Sequence, residues 1–470
     1  MSGAPQRSAV PDVTGPSTRL LDALSGAGAL VTDREILASY RHDRAAPGLL
    51  SAGNPLVMVR PRSVEQVQAA VRAATSLAVP IVARGAGSGL SGGANAIDGC
   101  MILSLEGMST ILEIDADGLT ATVEAGVLNS TLQAAAAGDG LFYAPDPASY
   151  EFSTIGGNVA TNAGGLCCVK YGVTRDALLA LQVVLADGRA VALGHATRKD
   201  VAGYDLVGLM CGSEGTLGIV TAATVRLLPP PPPAHTLAAS FQRLDDAGQA
   251  VARICRRHRP SMLELMDQAT IRAVEELAPM ELDLEAEAML FARSDAGRLQ
   301  GAEEIAAMAG LCEQAGASIV VTTDDQGEGR ALLAARRLAF AALERCGTTL
   351  LDDVAVPLPA IPALLRGIEA IGREHDVLIA TFGHAGDGNM HPTVVYDSSD
   401  PSAVSRARGA FDAILALAGD LGGSVTGEHG VGLLKRGAAQ TALAGTLELQ
   451  RAIKRAFDPH DLLNPGKGHT

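Results

Sequence analysis

The chain lacks tryptophan, has few aromatic residues and contains no long apolar run. Phe, Tyr and Trp together make up 3% of its 470 residues. No uninterrupted apolar stretch reaches the roughly 18 residues that a membrane-spanning helix requires, so we expect no membrane span. The first residues, MSGAPQRSAVPDVTG, also lack the apolar segment of a secretory signal. We therefore expect a short disordered lead on a cytoplasmic protein.

Cysteines with the spacing of a metal or cluster site are missing too. The seven cysteines are odd in number, scattered along the chain and without a CxxC pair. This pattern argues against a disulfide framework and against an iron–sulfur cluster. It favours a reducing compartment.

Positive charge is scarce. Lys and Arg number 37 against 52 Asp and Glu, which leaves a net charge of −15, and no long basic run is present. Because such a chain repels phosphate backbones, we expect no nucleic-acid partner.

Five consecutive prolines, Pro229–Pro233, mark the clearest boundary in the chain. A proline run forms a stiff extended spacer, and 470 residues suffice for two or three domains. The predicted segments are 1–50, 51–228, a linker at 229–235, 236–410 and 411–470.

The hydrophobic pattern predicts an α+β protein. Ser63 and Gln66 form a capping box that opens a helix. Further helices are predicted near Asp246–Arg257, Ala302–Ala315, Val404–Ala418 and Leu447–Phe457. Strands are predicted at Leu56–Arg60, Ile81–Ala83, Cys100–Leu105, Thr120–Glu124, Ala180–Ala186, from Ala190, and near Thr236–Phe241, Met262–Asp267 and Met289–Arg293. Between them, Pro145–Asp176 has little periodicity and is predicted to be a long functional loop.

A glycine loop follows the second predicted strand. Gly87, Gly89 and Gly92 satisfy the GxGxxG pattern, and Glu106 stands where a dinucleotide fold places its ribose acid. That fold needs a helix beginning on the glycines, but only GANAIDG separates Gly92 from the next strand. We therefore reject a Rossmann site. Successive backbone N–H groups can still cradle a pyrophosphate without a helix.

Two histidines flank a tight turn in the stretch TFGHAGDGNMH. His384 and His391 surround Gly-Asp-Gly-Asn, so two flanking strands would fold back and bring both imidazoles to one face. With Glu428 they would form a His/His/Glu set suited to a divalent metal such as zinc, leaving His429 as a base. Either histidine alone is more typical of a core or rim position. The pair, together with Glu428 and His429 between two glycines, favours a site.

The order of several motifs resembles one known family. PRSVEQV, RGAGSGLSGG, PDPAS, STIGGNVATNAGG, GSEGTLGIVT, GHAGDGNMHP, GEHGVG and LNPGK follow one another between Asn54 and Lys467. This order resembles the flavin-linked D-2-hydroxyacid dehydrogenases, which include D-lactate dehydrogenase, the flavin subunit of glycolate oxidase and D-2-hydroxyglutarate dehydrogenase.

The resemblance implies a fold and a domain organisation. It implies an FAD-binding domain of the PCMH/vanillyl-alcohol-oxidase type at 51–228, after an N-terminal lead and helical segment. An inserted α+β, ferredoxin-like substrate domain would follow at 236–410. A C-terminal helical segment, 411–470, would return to the FAD domain.

The resemblance also implies the residues that bind FAD. The pyrophosphate would be held by Gly85, Ala86, Gly87, Ser88, Gly89, Gly93 and Ala94. The flavin and its ribityl chain would be lined by Pro145, Ser149, Thr154, Gly157, Asn158, Thr161 and Gly165, with Glu214, Ile219 and Asn464 closing the site. The first loop contains neither His nor Cys, so we expect the FAD to be non-covalent.

The implied reaction is hydride transfer from a 2-hydroxy acid to FAD. A metal on His384, His391 and Glu428 would position the hydroxyl, and His429 would take its proton. Arg336 matches the arginine that binds the substrate carboxylate, although a solvated arginine is nearly as typical there.

The substrate is predicted from two departures from the hydroxyglutarate enzymes. Where those enzymes place a Thr and a Lys for the second carboxylate, this chain has Phe340 and Leu351. A monocarboxylate such as D-lactate or glycolate is therefore favoured. The alternatives are a D-2-hydroxyglutarate dehydrogenase, a glycolate oxidase flavin subunit within a complex, a relative of alkyl-glycerone-phosphate synthase and a non-catalytic scaffold. Electrons would leave to an electron-transfer flavoprotein, a quinone or a cytochrome, and a homodimer is possible.

Overall fold

The structure, a computed structural model, describes residues 17–46 and 48–468. The start of the predicted lead, 1–16, lies outside the described residues. The chain is first described as helix α1 (Thr18–Ala23), strand β1 (Ala29–Val31) and helix α2 (Arg34–Ser39). Side-chain oxygens of Ser17 and Asp33 cap the two helices.

The first sheet contains the first three predicted strands. It is formed by β1, β2 (Val57–Arg60), β3 (Ile81–Arg84) and β4 (Met101–Ser104) in the order β1-β2-β4-β3. Strands β2, β4 and β3 are parallel, and helix α3 (Val64–Ser76) connects β2 to β3. Its predicted start is confirmed, because Ser63 Oγ accepts the N–H of Gln66. In the described chain no helix lies between β3 and β4, as the rejection of a Rossmann site requires.

The second sheet is antiparallel and carries the segment predicted as a long loop. Its strands are β5 (Ile111–Asp115), β6 (Thr120–Glu124), β7 (Leu178–Val184), β8 (Ala190–Gly194) and β9 (Ile219–Arg226), in the order β5-β6-β9-β7-β8. Between β6 and β7 lie α4 (Asn129–Gly138), α5 (Ile155–Thr161), α6 (Cys168–Tyr171) and α7 (Thr174–Ala177), and α8 (Leu206–Met210) precedes β9. The prediction of an irregular 145–176 was therefore wrong in part. Helices α5, α6 and α7, which fall in this segment, have only four to seven residues and are too short to produce an amphipathic period.

The third sheet forms the body of the second half of the chain. It comprises β10 (His235–Phe241), β11 (Met262–Asp267), β12 (Ala288–Ser294), β13 (Ala317–Thr323), β14 (Thr348–Leu351), β15 (Val354–Ala355), β16 (Leu378–His384) and β17 (Asn389–Tyr396). All pairs are antiparallel, in the order β13-β10-β12-β11-β16-β17-β14, with β15 also on β17. The prolines Pro229–Pro233 are exposed and extended between β9 and β10.

Helices cover both faces of this third sheet. They are α9 (Leu244–Arg257), α10 (Gln268–Leu277), α11 (Arg298–Gln314), α12 (Gln326–Cys346), α13 (Ile361–His375) and α14 (Pro401–Asp420). Apolar side chains of α9, α11, α13 and α14 pack on one face, and those of α10 and α12 pack on the other. The alternation of β10 explains this, since Leu237 and Ala239 enter one core and Ala238 enters the other.

The end of the chain returns to the first sheet. Helix α14 runs through position 410, and its Phe411 and Ile414 belong to the core of the third sheet, so the predicted boundary falls inside one helix. After α15 (Arg436–Ala442) and α16 (Leu447–Phe457), Ile81 on β3 donates its N–H to the carbonyl of Leu462 at 2.7 Å and accepts that of Asn464 at 2.7 Å. No helix among the described residues is both long and apolar enough to cross a membrane.

Candidate functional site

A β-hairpin brings the two predicted histidines together. Strands β16 and β17 pair so that His384 lies opposite Asn389 and Phe382 lies opposite His391. Because side chains two residues apart on a strand share a face, His384 and His391 point to the same side. Their ring centroids are 5.0 Å apart. Gly388 has a φ of +83°, and a Cβ there would lie 2.1 Å from the carbonyl oxygen of Val356, so the turn requires glycine.

Glu428 is the centre of the cluster. Its Oε1 lies 3.3 Å from Nε2 of His384, 3.3 Å from Nε2 of His391 and 3.6 Å from Nε2 of His429. The two hairpin histidines are buried, and His429 is more open, with 19% of its side chain exposed. The structure therefore brings together the predicted metal set and the predicted base.

Burial and neighbouring charges shift the pKa values of the groups in this cluster. Burial alone would lower the pKa of His384, but the carboxylates of Glu264 and Glu428 outweigh it and raise that pKa well above its ordinary value. Burial would raise the pKa of Glu428, but hydrogen bonds from His384 and His391 hold it well below its usual range. For His391, burial dominates and lowers the pKa to about 4. An uncharged His391 can offer a nitrogen lone pair to a cation.

Two buried carboxylates behind the histidines were missed from the sequence. Glu264 on β11 is fully buried, and its Oε1 lies 2.8 Å from Nδ1 of His384. Asp353 is fully buried between β14 and β15 and faces His391 and His429. The available signals were an acid with apolar neighbours on both sides in the strand MLELMD and an acidic pair before VAVP.

The predicted carboxylate-binding arginine is engaged elsewhere. Arg336 Nη2 lies 2.7 Å from Oε2 of Glu264, and its guanidinium stacks over the ring of Phe382 at 4.7 Å. Its neighbour Arg337 instead borders the cavity described next. Among the described residues the guanidinium of Arg337 has no hydrogen-bond or ion-pair partner.

A cavity of about 740 Å³ lies between the glycine loops and the third sheet. Glu428 and His429 line one part of it. Fourteen of the seventeen predicted FAD residues line it: Gly85, Ala86, Gly87, Ser88, Gly89, Gly93, Ala94, Ser149, Thr154, Gly157, Asn158, Thr161, Glu214 and Ile219. The cavity therefore joins the predicted FAD loops to the histidine cluster.

The other three predicted FAD residues do not line the cavity but hold its walls. Asn464 donates from Nδ2 to the carbonyls of Gly93 and Glu214 at 3.0 and 2.8 Å. Pro145 accepts at its carbonyl from two side chains of α4. Gly165 packs its Cα so tightly on Asp146 that a Cβ would lie 2.4 Å from a carbonyl oxygen.

The walls of the cavity fit a large polar ligand with a phosphate group. Gly87 has a φ of +69°, and a Cβ there would lie 2.0 Å from Nη2 of Arg84, so the backbone is bare at this point. In the described part of the chain, Asn158 Nδ2, Arg84 Nε and Asp43 Oδ2 are buried without a hydrogen-bond partner. Buried polar groups normally have one, so these atoms point to a bound molecule. Asp43 was missed because it lies outside the quoted motifs, and Arg84 was missed because only the residues that follow it in RGAGSGLSGG were assigned to the cofactor.

Comparison with known families identifies the two halves of the chain. Residues 230–468 match the family described as FAD linked oxidases, C-terminal domain, and residues 55–194 match the FAD binding domain. This chain belongs to the FAD-linked oxidases. The resemblance stated from the motifs is thereby confirmed, and so are the FAD-binding domain and the assignment to flavin-dependent oxidoreductases.

Curated relatives of this FAD-linked oxidase carry three activities in their names. The chain is 41% identical to the glycolate oxidase subunit GlcD of Bacillus subtilis, over 88% of each chain. It is 36% identical to a D-lactate dehydrogenase of Archaeoglobus fulgidus, over 91% of this chain and 95% of the relative. It is 38% identical to a D-2-hydroxyglutarate dehydrogenase of Xanthomonas citri, over 88% and 89%.

Solved structures confirm the predicted fold class. The FAD-linked oxidase superposes on p-cresol methylhydroxylase with a TM-score of 0.81 at 18% identity, over 97% of this chain and 98% of the other. It superposes on 4-ethylphenol oxidase from Gulosibacter chungangensis with a TM-score of 0.79 at 20% identity, over 98% of each chain. At these identities the likeness concerns the fold alone.

Proposed function

We propose that this FAD-linked oxidase oxidises a D-2-hydroxy acid to the 2-oxo acid and passes the electrons to an external acceptor. The observation that carries the proposal is the convergence of three imidazoles on Glu428 at the wall of the cofactor cavity. The names of the curated relatives support the substrate class and its D configuration.

His384, His391 and Glu428 fit a divalent metal, and we propose zinc. Their donor atoms lie within 4.8 Å of one another, and two imidazole nitrogens with one carboxylate leave a position open for substrate. A metal bound there would supply Lewis acidity that makes the substrate hydroxyl easier to deprotonate. Glu264 directs Nε2 of His384 toward the cluster by accepting a hydrogen bond from its Nδ1.

The remaining two roles, accepting the hydride and accepting the proton, are assigned to FAD and to a residue of the chain. FAD bound by the glycine loops, without a covalent link, would accept the hydride from the substrate Cα. His429 lines the cavity with its Nε2 directed at Glu428, so we propose that it takes the hydroxyl proton as general base. The buried hairpin excludes water behind the histidines, which keeps their orientation fixed.

Flavin bleaching tests the proposal. Purified protein is mixed anaerobically, in separate experiments, with D-lactate, L-lactate, glycolate and D-2-hydroxyglutarate. The flavin absorbance is followed, and the metal content of the same sample is measured. We expect rapid bleaching with the D acid and a metal near one equivalent per chain. Absence of bleaching with D-lactate, glycolate and D-2-hydroxyglutarate alike would refute the proposed substrate class.

The two neighbouring arginines have separable roles. Arg336 was predicted to bind the substrate carboxylate, but Glu264 holds it, so we propose that the free guanidinium of Arg337 is the better-placed partner. Arg337→Ala should raise KM by about 10- to 100-fold with little change in metal content, since hydrogen bonds to charged groups contribute roughly 1.5–3 kcal/mol. Arg336→Ala should instead loosen Glu264 and His384. Steady-state kinetics and metal analysis of both variants check this. The reverse pattern would mean that Arg336 leaves Glu264 when substrate binds.

The cavity wall favours a monocarboxylate. Phe340 and Leu351 both line the cavity, and Arg337, Phe340, Ala341 and Glu344 present one face of α12 to it. A second substrate carboxylate would be desolvated against apolar side chains there. We expect kcat/KM for D-lactate to exceed that for D-2-hydroxyglutarate by about 5- to 150-fold, because one uncompensated polar group costs roughly 1–3 kcal/mol. The double variant Phe340→Thr with Leu351→Lys should reduce the difference in kcat/KM between the two substrates. A wild-type preference for the diacid would contradict this assignment.

The names of the relatives and the cysteines bear on the electron acceptor and on the location of the protein. Some relatives are named as a subunit of glycolate oxidase, which supports transfer of electrons outward to a flavoprotein, a quinone or a cytochrome. All seven cysteines are free thiols, which fits a cytoplasmic location. We keep 51–228 as the FAD domain and 236–410 as the substrate domain, the latter extended to the end of α14 at Asp420.

A further inference from the structure

A single carboxylate oxygen accepts several hydrogen bonds from the loop that carries Glu428 and His429. Asp353 Oδ2 accepts the backbone N–H groups of Gly427, Glu428 and His429 at 3.0, 3.0 and 2.8 Å. It also accepts the hydroxyl of Thr426 at 2.8 Å. Hydrogen bonds to an ionised acceptor are roughly twice as strong as neutral ones, and this loop has no helix or strand of its own to hold it.

The same side chain faces two imidazoles from behind. Asp353 Oδ1 lies 3.8 Å from Nδ1 of His391, and Oδ2 lies 4.0 Å from Nδ1 of His429. Each of these rings presents its Nε2 to Glu428 at the other end. Both separations are longer than a hydrogen bond, so the carboxylate acts on the rings through its charge. A negative charge on the Nδ1 side favours the tautomer that is protonated at Nδ1, whose Nε2 lone pair is free to bind a metal or take a proton.

The position of Asp353 is itself determined by the sheet. It lies between β14 and β15, and both strands pair with β17, which carries His391. The buried Lys435 donates to the carbonyls of Asp353 and Val425 at 2.8 and 2.9 Å and pairs with Asp352 at 2.9 Å. Asp353 is therefore a rigid link between the hairpin and the Glu428 loop, two segments that meet only in the folded chain.

We propose that Asp353 is a positioning residue that assembles the metal and base set before any ligand binds. One of its oxygens sets the path of residues 426–429, and the carboxylate orients the imidazoles of His391 and His429. The role in catalysis rests on the proposed function, but the assembly of the loop does not. It can be measured in the metal-free protein.

Amide hydrogen exchange tests the assembly. In metal-free protein with FAD bound, the peptide spanning 425–431 should be protected, and Asp353→Ala should speed its exchange by at least tenfold. In Asp353→Asn the exchange rate of this peptide should lie between those of the wild type and Asp353→Ala, since the amide oxygen can accept the same N–H groups without charge. Asp458→Asn is the matched control, because Asp458 is also buried, pairs with Lys454 and accepts the N–H groups of Leu462 and Leu463. Unchanged protection of 425–431 in Asp353→Ala would overturn the proposal.

Zinc affinity tests the consequence. Competition of the folded variants with a colorimetric chelator should show Zn²⁺ binding 10- to 100-fold weaker in Asp353→Asn, the usual effect of losing a residue that orients metal ligands. Asp458→Asn should bind Zn²⁺ as the wild type does, which separates orientation from a general loss of stability. Equal affinity in both variants would overturn the orienting role. If the wild type binds no Zn²⁺ and its flavin is not reduced, the proposed function fails. The exchange experiment still tests whether Asp353 holds the loop in place.

Discussion

Replacing His429 by alanine is expected to leave FAD bound and to slow flavin reduction by the substrate by about 10² to 10⁴, the usual contribution of a general base. The imidazole borders the cavity next to Glu428 and holds none of the glycine loops that cradle the cofactor. Its removal therefore takes away the proton acceptor while the cofactor site remains. Anaerobic stopped-flow mixing with D-lactate, followed at the flavin band, measures the rate.

The control for this variant must separate a base from a fourth ligand. His195→Ala changes a histidine that is mostly exposed and paired with Asp200, so its flavin should be reduced at the wild-type rate. The metal content of His429→Ala should also be normal, because His384, His391 and Glu428 remain. Loss of metal would make His429 a ligand, and reduction at the wild-type rate would remove its catalytic role.

Replacing Glu428 by glutamine should remove the metal and nearly abolish flavin reduction. In the described part of the chain all three imidazoles approach Glu428 Oε1, so its charge would compensate for a cation placed between them. A neutral amide is a weaker ligand of nearly the same size. The expected loss is on the order of 10²- to 10³-fold, because Lewis-acid stabilisation contributes several kcal/mol and about 1.4 kcal/mol corresponds to tenfold in rate. Metal analysis and single-turnover reduction of the flavin check both effects.

An exposed glutamate provides the matched control. Glu448→Gln alters a side chain that is 80% exposed and pairs with Arg451 on α16, so metal content and rate should not change. If Glu428→Gln kept a full equivalent of metal and the wild-type rate, the cluster would be a structural network of histidines and carboxylates. The metal-dependent part of the proposed function would then be withdrawn, while the FAD-linked oxidase assignment would stand.

Local chemistry explains which parts of the fold could be predicted from the sequence. The capping residue Ser63, the proline spacer and the turn between His384 and His391 act within a few residues, so their effects are visible without neighbours. The rejection of a Rossmann site followed from length alone, since GANAIDG is too short for a helix. The short helices in 145–176 escaped because one or two turns leave no measurable period.

The different environments of Arg336 and Arg337 do not follow from the local sequence. Arg336 and Arg337 are adjacent, and one residue turns a helix by about 100°, so the phase of α12 against its sheet decides which guanidinium meets Glu264 and which meets the cavity. That phase depends on packing across the whole helix. The motif match pointed to the first arginine, but the unpaired one is the second.

The sequence by itself determined the family and the glycine loops, because these depend on the residue types of short motifs and on the order of those motifs along the chain. It also placed His384 and His391 on either side of one turn. Only the tertiary structure decided that Glu264 and Asp353 stand behind those histidines and that Glu428 meets the hairpin. These contacts join β11, the β14–β15 connection, β16, β17 and the Gly427–Gly430 loop, whose proximity follows from sheet order. The pairing of distant strands leaves no local pattern, and for that reason the two carboxylates behind the histidines are visible only in the folded chain.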